Sequence, residues 1–286
     1  MKKYTIGFIG QGWVGRNCAD DFENRGYPVV RYALEQPYVE NKDRIKECDM
    51  VFIAVPTPTV DGKYDDSILR SVVKLVGKGK SVIIKSTVVP GATESIQREN
   101  PDIYVFHSPE FLVESTAAYD TAHPNRNLVG IPVVSDAYRT KAQEILDVLP
   151  AAPYAKVLPS RDTEFVKYAG NCFLLTKVVF MNILYDLVTR SGGDWESVRE
   201  AFIHDPRVGA SHTNPVHSGG RGAGGDCFIK DFKAFQEVYR REVNDPIGDV
   251  VLEAISDKNL QLLVDSGKDI KLVTGVHGKK LNAKSP

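Results

Sequence analysis

The sequence predicts an α/β fold: a doubly wound, mainly parallel sheet, then a long helix and an all-helical region. Three observations predict it. A short β-prone run, Tyr4 to Ile9, meets Gly10, Gly12 and Gly15 in the spacing G-Q-G-W-V-G. Short apolar runs then alternate with helix-compatible stretches as far as Leu149, the pattern of strands joined by crossover helices. From Ser160 an apolar pattern at helical spacing runs to about Ser191, where Gly192-Gly193 ends it.

In chain order, the glycine turn leads into a helix over Arg16 to Asn24 and a second strand over Pro28 to Tyr32. That is the strand, turn, helix, strand setting of a Rossmann-like dinucleotide site. Gly10 suits the tight turn, Gly12 the close approach of a pyrophosphate and Gly15 the packing of helix on strand, while the helix N-terminus offers N–H groups to phosphates. The alternative is a glycine turn without a ligand. The nearest carboxylate past the second strand is Glu35, a candidate ribose ligand that favours NAD. Arg31 is close enough to accommodate a 2′-phosphate instead.

Met50 to Val55 is a strand ending in Pro56-Thr57-Pro58, Ser67 to Val76 a helix, and Ser81 to Ile84 another strand. Tyr104 to His107 and Leu128 to Ile131 add two β-like runs before a helix over Tyr138 to Leu149. Ligands of such sheets bind beyond the carboxyl ends of the strands. The three prolines of PAAPYAKVLPS, Pro150 to Ser160, break the pattern and mark a domain boundary. The organisation expected is a dinucleotide-binding domain over 1–158, a central helical dimerisation domain over 159–258 and a C-terminal tail over 259–286, whose polar part after Ser266 is expected to fray.

The long helix would span roughly 45 Å at 1.5 Å per residue. Its apolar residues, among them Phe165, Phe173, Met181, Leu184 and Val188, cover more than one stripe, so it is expected to bury surface inward and across a dimer interface. Further helices are expected over Trp195 to Ile203, about Asp231 to Arg241 and Pro246 to Ser266, with a glycine-rich loop from Gly209 to Gly225.

Lys and Arg total 36 against 37 Asp and Glu, which gives no electrostatic case for nucleic acid or an anionic membrane. The most apolar segment, Phe173 to Val188, carries Lys177, Asn182 and Asp186, so no uninterrupted membrane span is expected. The start MKKYTIGFIG lacks a cleavable leader pattern, and a cytoplasmic protein is expected. Four cysteines, at 18, 48, 172 and 227, are too few and scattered for a disulfide framework or paired zinc site. The histidines show no ligand spacing, and no metal is expected.

Cys227 lies in G-A-G-G-D-C-F-I-K-D, between glycines and a helix start. A helix N-terminus lowers a thiol pKa, Lys230 would lower it further, and Asp226 pushes the other way. The plain alternative is a small buried Cys. Glu164, Lys167 and Asn171 share one face of the long helix, either as a site or as a solvated stripe with a Glu164–Lys167 pair. Glu110, in the loop Ser108 to Glu114, could act as a base near a nicotinamide or be an ordinary surface acid. Ser86 and Thr87 offer hydroxyls in the same crevice or cap a turn.

Together these segments resemble the UDP-glucose/GDP-mannose dehydrogenase family. The matches run in family order through G-Q-G-W-V-G, VPTP (Val55 to Pro58), STVVPG (Ser86 to Gly91), SPEFLVE (Ser108 to Glu114), E-x-x-K-x-x-x-N (Glu164 to Asn171), DPRVG (Asp205 to Gly209) and GAGGDCFIKD (Gly222 to Asp231). The resemblance implies four-electron oxidation of a nucleotide-sugar C6 alcohol, most simply of UDP-glucose, with two NAD, by a homodimer serving polysaccharide biosynthesis. It implies that Cys227 is the nucleophile and that Lys167 and Asn171 stabilise an oxyanion. Asp231 would assist proton transfer, with Glu110 as hydrolytic base and Thr87 placing a water. NAD contacts fall to Gly10, Gly12, Trp13, Val14, Gly15, Glu35, Thr57, Thr87, Glu114 and Lys230. Substrate contacts fall to Phe111, Leu112, Glu114, Lys167, Asn171, Gly222, Gly224 and Gly225, with Arg207 reaching across the dimer.

Full-length members continue into a third α/β domain, and only 55 residues follow Asp231. Ala33 replaces the usual acid after the second strand, and Asp226 stands where a small hydroxyl residue is usual. Two other readings compete: a two-electron 6-phosphogluconate or 3-hydroxyacid type dehydrogenase, which needs no thiol, and a catalytically degenerate dinucleotide-binding dimer.

Overall fold

The computed structural model describes residues 4–60 and 63–277. The chain divides into two compact units, Met1–Pro58 with Asp65–Lys167 and Thr59–Tyr64 with Tyr168–Pro286.

The first unit opens with β1 (Ile6–Ile9), α1 (Trp13–Asn24), β2 (Val29–Tyr32) and β3 (Met50–Ile53). A hairpin that belongs to the second unit, β4 (Thr59–Val60) and β5 (Lys63–Tyr64), interrupts it. It resumes with α2 (Ser67–Val73), β6 (Ser81–Ile84), α3 (Ala92–Glu99), β7 (Tyr104–His107), α4 (Ala117–Ala122), β8 (Arg126–Ile131), α5 (Asp136–Val148) and β9 (Tyr154–Pro159). Its sheet has the order β2-β1-β3-β6-β7-β8-β9. All neighbours are parallel except β7 and β8, which meet antiparallel at His107 and Gly130. The expected doubly wound, mainly parallel sheet is present.

Strands β1, β3 and β6 are buried along their whole length, which is why each reads as a continuous apolar run rather than an alternation. Phe8 stacks on Phe52 at 5.2 Å between centroids and meets Phe22 edge-on at 5.5 Å. Each ring contributes about 1.5–3 kcal/mol by leaving water, and together they fix α1 on the sheet.

The proline-bearing segment Pro150 to Ser160 contains the strand β9, paired with β8 from Arg126↔Tyr154 to Ile131↔Pro159. An edge strand leaves one row of backbone groups outside the ladder, so Pro159 at its end costs no hydrogen bond. The unit accordingly continues to Lys167, within α6 (Ser160–Arg190). The start of α6 packs against β8 at Gly130, where a Cβ would stand 2.3 Å from Thr163 Oγ1.

The second unit holds the rest of α6, then α7 (Trp195–Ile203), a hairpin of β10 (Val216–His217) and β11 (Gly220–Arg221), α8 (Gly225–Glu242), α9 (Pro246–Asp265) and α10 (Ile270–His277). By length and composition alone α6 could cross a membrane, its most apolar window reaching a mean hydropathy of 1.6. Tyr168, Cys172, Leu175, Val179 and Met181 on it are nevertheless buried in the protein. Phe173, Phe180 and Leu187, seven residues apart, form an exposed stripe, at 67%, 53% and 62% of their surface.

Residues 259–277, assigned above to a tail, are mostly helical. They finish α9 and form α10, because Leu263, Val273 and Val276 close a core over Ile229 of α8. The polar end, 278–286, lies outside the described residues.

Candidate active site

The glycine turn after β1 resolves into separate roles. Gly10 has φ +91°, and a Cβ there would stand 2.2 Å from the Ala54 carbonyl oxygen; one at Gly15 would stand 2.0 Å from the Gly10 carbonyl oxygen. Both positions are fixed by backbone meeting backbone. At Gly12 a Cβ would meet nothing within 4 Å, so this glycine leaves open space over the start of α1. No side chain caps that helix, and its first N–H groups, with the helix dipole, suit a pyrophosphate. Trp13 is exposed and Val14 half-buried at the same turn.

Arg31 is committed elsewhere. Its guanidinium meets Glu23 at 3.0 and 2.7 Å and Asp20 at 2.6 Å, two carboxylates that would repel a 2′-phosphate. Glu35 is exposed just past β2. The residues present therefore fit NAD and speak against NADP. The loops after β3 and β6 are stitched together, Ser86 Oγ donating to the Val55 carbonyl at 2.7 Å and Thr57 Oγ1 to the Thr87 carbonyl at 2.7 Å. Ser86 is thus the turn cap of the plain reading, and Thr87 remains half-buried.

Glu110 is not a surface acid: only 9% of it is exposed. Its Oε1 accepts from Lys167 Nζ at 2.6 Å, its Oε2 from the Leu112 N–H at 2.8 Å, and Lys167 also donates to the Glu110 carbonyl at 3.0 Å. Arg126 lies 3.7 Å over the Phe111 ring, holding the loop from outside. A cavity of about 140 Å³ borders it, lined in part by Lys85, Glu110, Phe111, Leu112 and Asp120. Burial lowers the Lys85 pKa, and its Nζ donates to Ser108 Oγ at 3.2 Å. Glu114 is exposed at the loop's end.

Glu164 forms neither a solvated stripe nor a pair with Lys167. It is fully buried, accepting from the Gly91 N–H at 2.6 Å, the Thr93 N–H at 2.9 Å and Thr93 Oγ1 at 2.5 Å. It caps α3 from a distant helix, and burial pushes its carboxyl up to about 7 against these hydrogen bonds. Nothing local in the sequence announces this partnership, 71 and 73 residues long.

In the second unit Cys227 lies in the first turn of α8, which begins at Gly225, earlier than the helix start expected near Asp231. Cys18, Cys48 and Cys172 are buried, and burial raises the pKa of each, Cys48 to about 11. Cys227 is partly exposed, which makes it the thiol suited to chemistry. One turn on, Asp231 is buried, accepting from Asn171 Nδ2 at 2.5 Å and from Lys230 Nζ at 2.5 Å. Lys230 therefore has its ion pair with Asp231. The Asp226 side chain lies outside the described residues.

Arg207 is 88% exposed and held by Asp205 through contacts of 2.6 to 3.1 Å. Lys177, overlooked in the sequence, fixes the DPRVG turn by donating to the Val208 and Gly209 carbonyls at 2.8 and 3.2 Å. In the glycine loop a Cβ on Gly222 would stand 3.1 Å from Asn259 Oδ1, and one on Gly224 1.9 Å from Asp269 Oδ2. Those two glycines make room for the protein's own side chains, whereas Gly225, with φ +81°, faces open space.

Residues 36–147 match the NAD binding domain of the UDP-glucose/GDP-mannose dehydrogenase family, and residues 161–259 its central domain. A putative UDP-glucose 6-dehydrogenase of Bacillus subtilis is 30% identical over 240 residues, covering 79% of this chain and 54% of its own. The UDP-glucose 6-dehydrogenase of Pseudomonas aeruginosa is 34% identical over 211 residues, 66% of this chain and 44% of its own. The chain spans about half the length of such relatives. A UDP-glucose dehydrogenase structure from the hyperthermophilic archaeon Pyrobaculum islandicum superposes with a TM-score of 0.77 at 27% identity, over 92% of this chain and 71% of that one. The chain belongs to the UDP-glucose/GDP-mannose dehydrogenase family, whose NAD-binding and central domains it carries.

Proposed function

We propose that the chain is an NAD-dependent nucleotide-sugar 6-dehydrogenase that oxidises the C6 alcohol of UDP-glucose to the uronic acid. One observation carries the reading. In the first unit Lys167 is hydrogen-bonded to the buried Glu110, and in the second Asn171 is hydrogen-bonded to the buried Asp231, which stands one turn beyond Cys227 on α8. Two donors, two carboxylates and a thiol are the groups that a four-electron oxidation of an alcohol needs. The rival two-electron reading has no use for the thiol.

The glycine turn of Gly10, Gly12 and Gly15 would hold NAD, which would supply the hydride acceptor for each of two oxidations. Loss of the alcohol proton with the first hydride gives an aldehyde. The Cys227 thiolate then forms a C–S bond to the aldehyde carbon, and the carbonyl oxygen becomes an oxyanion. Lys167 has a third N–H and Asn171 a second for that oxyanion, beyond those given to the carbonyl and carboxylate of Glu110 and to Asp231. A second hydride leaves the same carbon, giving a thioester. Water attacks it, Glu110 takes the proton, the thiolate leaves and the carboxylate is released. Water supplies the added oxygen, and the two NADH carry all four electrons.

The proposed assembly is a homodimer formed along the exposed stripe Phe173, Phe180 and Leu187, with Arg207 extended by Asp205 toward the partner's nucleotide sugar. The test is NADH formed per sugar consumed, with UDP-glucose, GDP-mannose and UDP-N-acetylhexosamines in turn. Two NADH per UDP-glucose is the expected result; a single NADH per sugar would overturn the four-electron reading.

A further inference from the structure

The segment that runs into Cys227 is held by side chains from the far end of the chain. The Arg221 N–H donates to Ser266 Oγ at 2.9 Å, and Lys268 Nζ donates to the Gly222 carbonyl at 3.0 Å. Asn259 grips Ala223 from both sides, its Oδ1 accepting from the N–H at 2.7 Å and its Nδ2 donating to the carbonyl at 3.0 Å. Asp269 Oδ2 accepts from the Gly225 N–H, the first of α8, at 2.9 Å. Residues 222–225, past the end of β11, have no β partner and need such substitutes for their backbone groups.

The glycines corroborate the fit. A Cβ on Gly220 would stand 2.7 Å from both Lys268 Cβ and Ser266 Oγ, and at Gly222 and Gly224 the nearest atoms belong to Asn259 and Asp269. The glycine spacing before Cys227 thus matches the side chains that back the loop. Asn259 and Ala223 are buried, so water cannot replace that pair if either half is lost.

We propose that Asn259, Lys268 and Asp269 are positioning residues for Cys227, fixing the backbone of 221–225 and with it the first turn of α8. The inference rests on the reading of Cys227 as the nucleophile. It adds that the accuracy of the thiol's placement is set by α9 and by the turn before α10. Asp269 has φ +54°, a conformation that Asn tolerates as well as Asp, so Asp269→Asn keeps the acceptor and removes the charge. Asp269→Ala removes both.

Three measurements on the full chain test it: amide exchange of residues 221–230, the rate at which iodoacetamide modifies Cys227, and turnover against NAD concentration. Loss of the acceptor for the first N–H of α8 in Asp269→Ala, or of the donor to the Gly222 carbonyl in Lys268→Ala, predicts about fivefold faster exchange. It also predicts an altered Cys227 modification rate, lower kcat and an unchanged KM for NAD. Asp269→Asn should restore exchange and modification. Native exchange and modification rates in both Asp269→Ala and Lys268→Ala would overturn the proposal, as would an Asp269→Asn that behaves like Asp269→Ala. The first two readouts need no substrate, so a chain inactive on every nucleotide sugar would refute the proposed function without touching this result.

Discussion

Lys167 Nζ sits 2.6 Å from Glu110 Oε1 and 3.0 Å from the carbonyl oxygen of the same residue, a buried ion pair with a backbone anchor. Removing one partner strands the other charge away from water. Lys167→Met should destabilise the protein by about 3–5 kcal/mol, read as a lower urea midpoint. Glu110→Gln, which retains an acceptor for Lys167, should cost less stability while abolishing turnover. Equal midpoints for Lys167→Met and the parent protein would contradict this account.

Glu164 gives the fold a pH dependence of uncommon sign. Below about 4.5, its ordinary value, the carboxyl is protonated whether the chain is folded or not. Between there and about 7 only the unfolded chain releases the proton, so this group's contribution to stability falls as pH rises, by on the order of 3 kcal/mol across the window, and then levels off. Nearby Glu94 raises the value further. Urea midpoints measured from pH 4.5 to 8, parent minus Glu164→Gln, should fall through that window; a difference independent of pH would show that folding leaves the Glu164 pKa unshifted.

Cys227 should be the first cysteine modified by iodoacetamide in the native protein, since burial raises the pKa of Cys18, Cys48 and Cys172. Cys227→Ser should lose acid production while retaining part of the alcohol oxidation, because the thiol enters only after the first hydride has left. Peptide mapping and product analysis give the two readouts, and full acid production by Cys227→Ser would remove the nucleophile assignment.

Phe180 lies at the middle of the exposed stripe on α6. A charge in the centre of an apolar interface is left without water, so Phe180→Glu should convert a dimer to a monomer, whereas a charge on the wet surface changes nothing. Light scattering with size exclusion distinguishes the two, and a parent protein that is monomeric at micromolar concentration would refute the proposed assembly.

The sequence shows most plainly what is contiguous along the chain. The turn from β1 to α1 carries its glycines, its strand and its helix within about twenty residues, and α6 announces itself by length and by its closing Gly192-Gly193. Strand β9 hides because prolines flank it and only one edge is paired. The partners of Glu164 and of residues 221–225 hide for another reason: they lie 71 and 73 residues away in the first case and 36 to 46 in the second. Hydrophobic period carries no record of such pairings. The seven short motifs point to Lys167, Asn171, Cys227 and Asp231, but not to which carboxylate each donor would hold.

The hairpin β4–β5 gives the chain an unusual connectivity. Backbone passes between the two units after Pro58, after Tyr64 and again after Lys167, so three covalent tethers join them where a simple tandem arrangement has one. A protease that cuts any single tether leaves the halves linked through the other two. Neither unit can be excised as an uninterrupted stretch of gene, and a fragment ending at Lys167 would carry β4 without its native neighbours, α8 and α10.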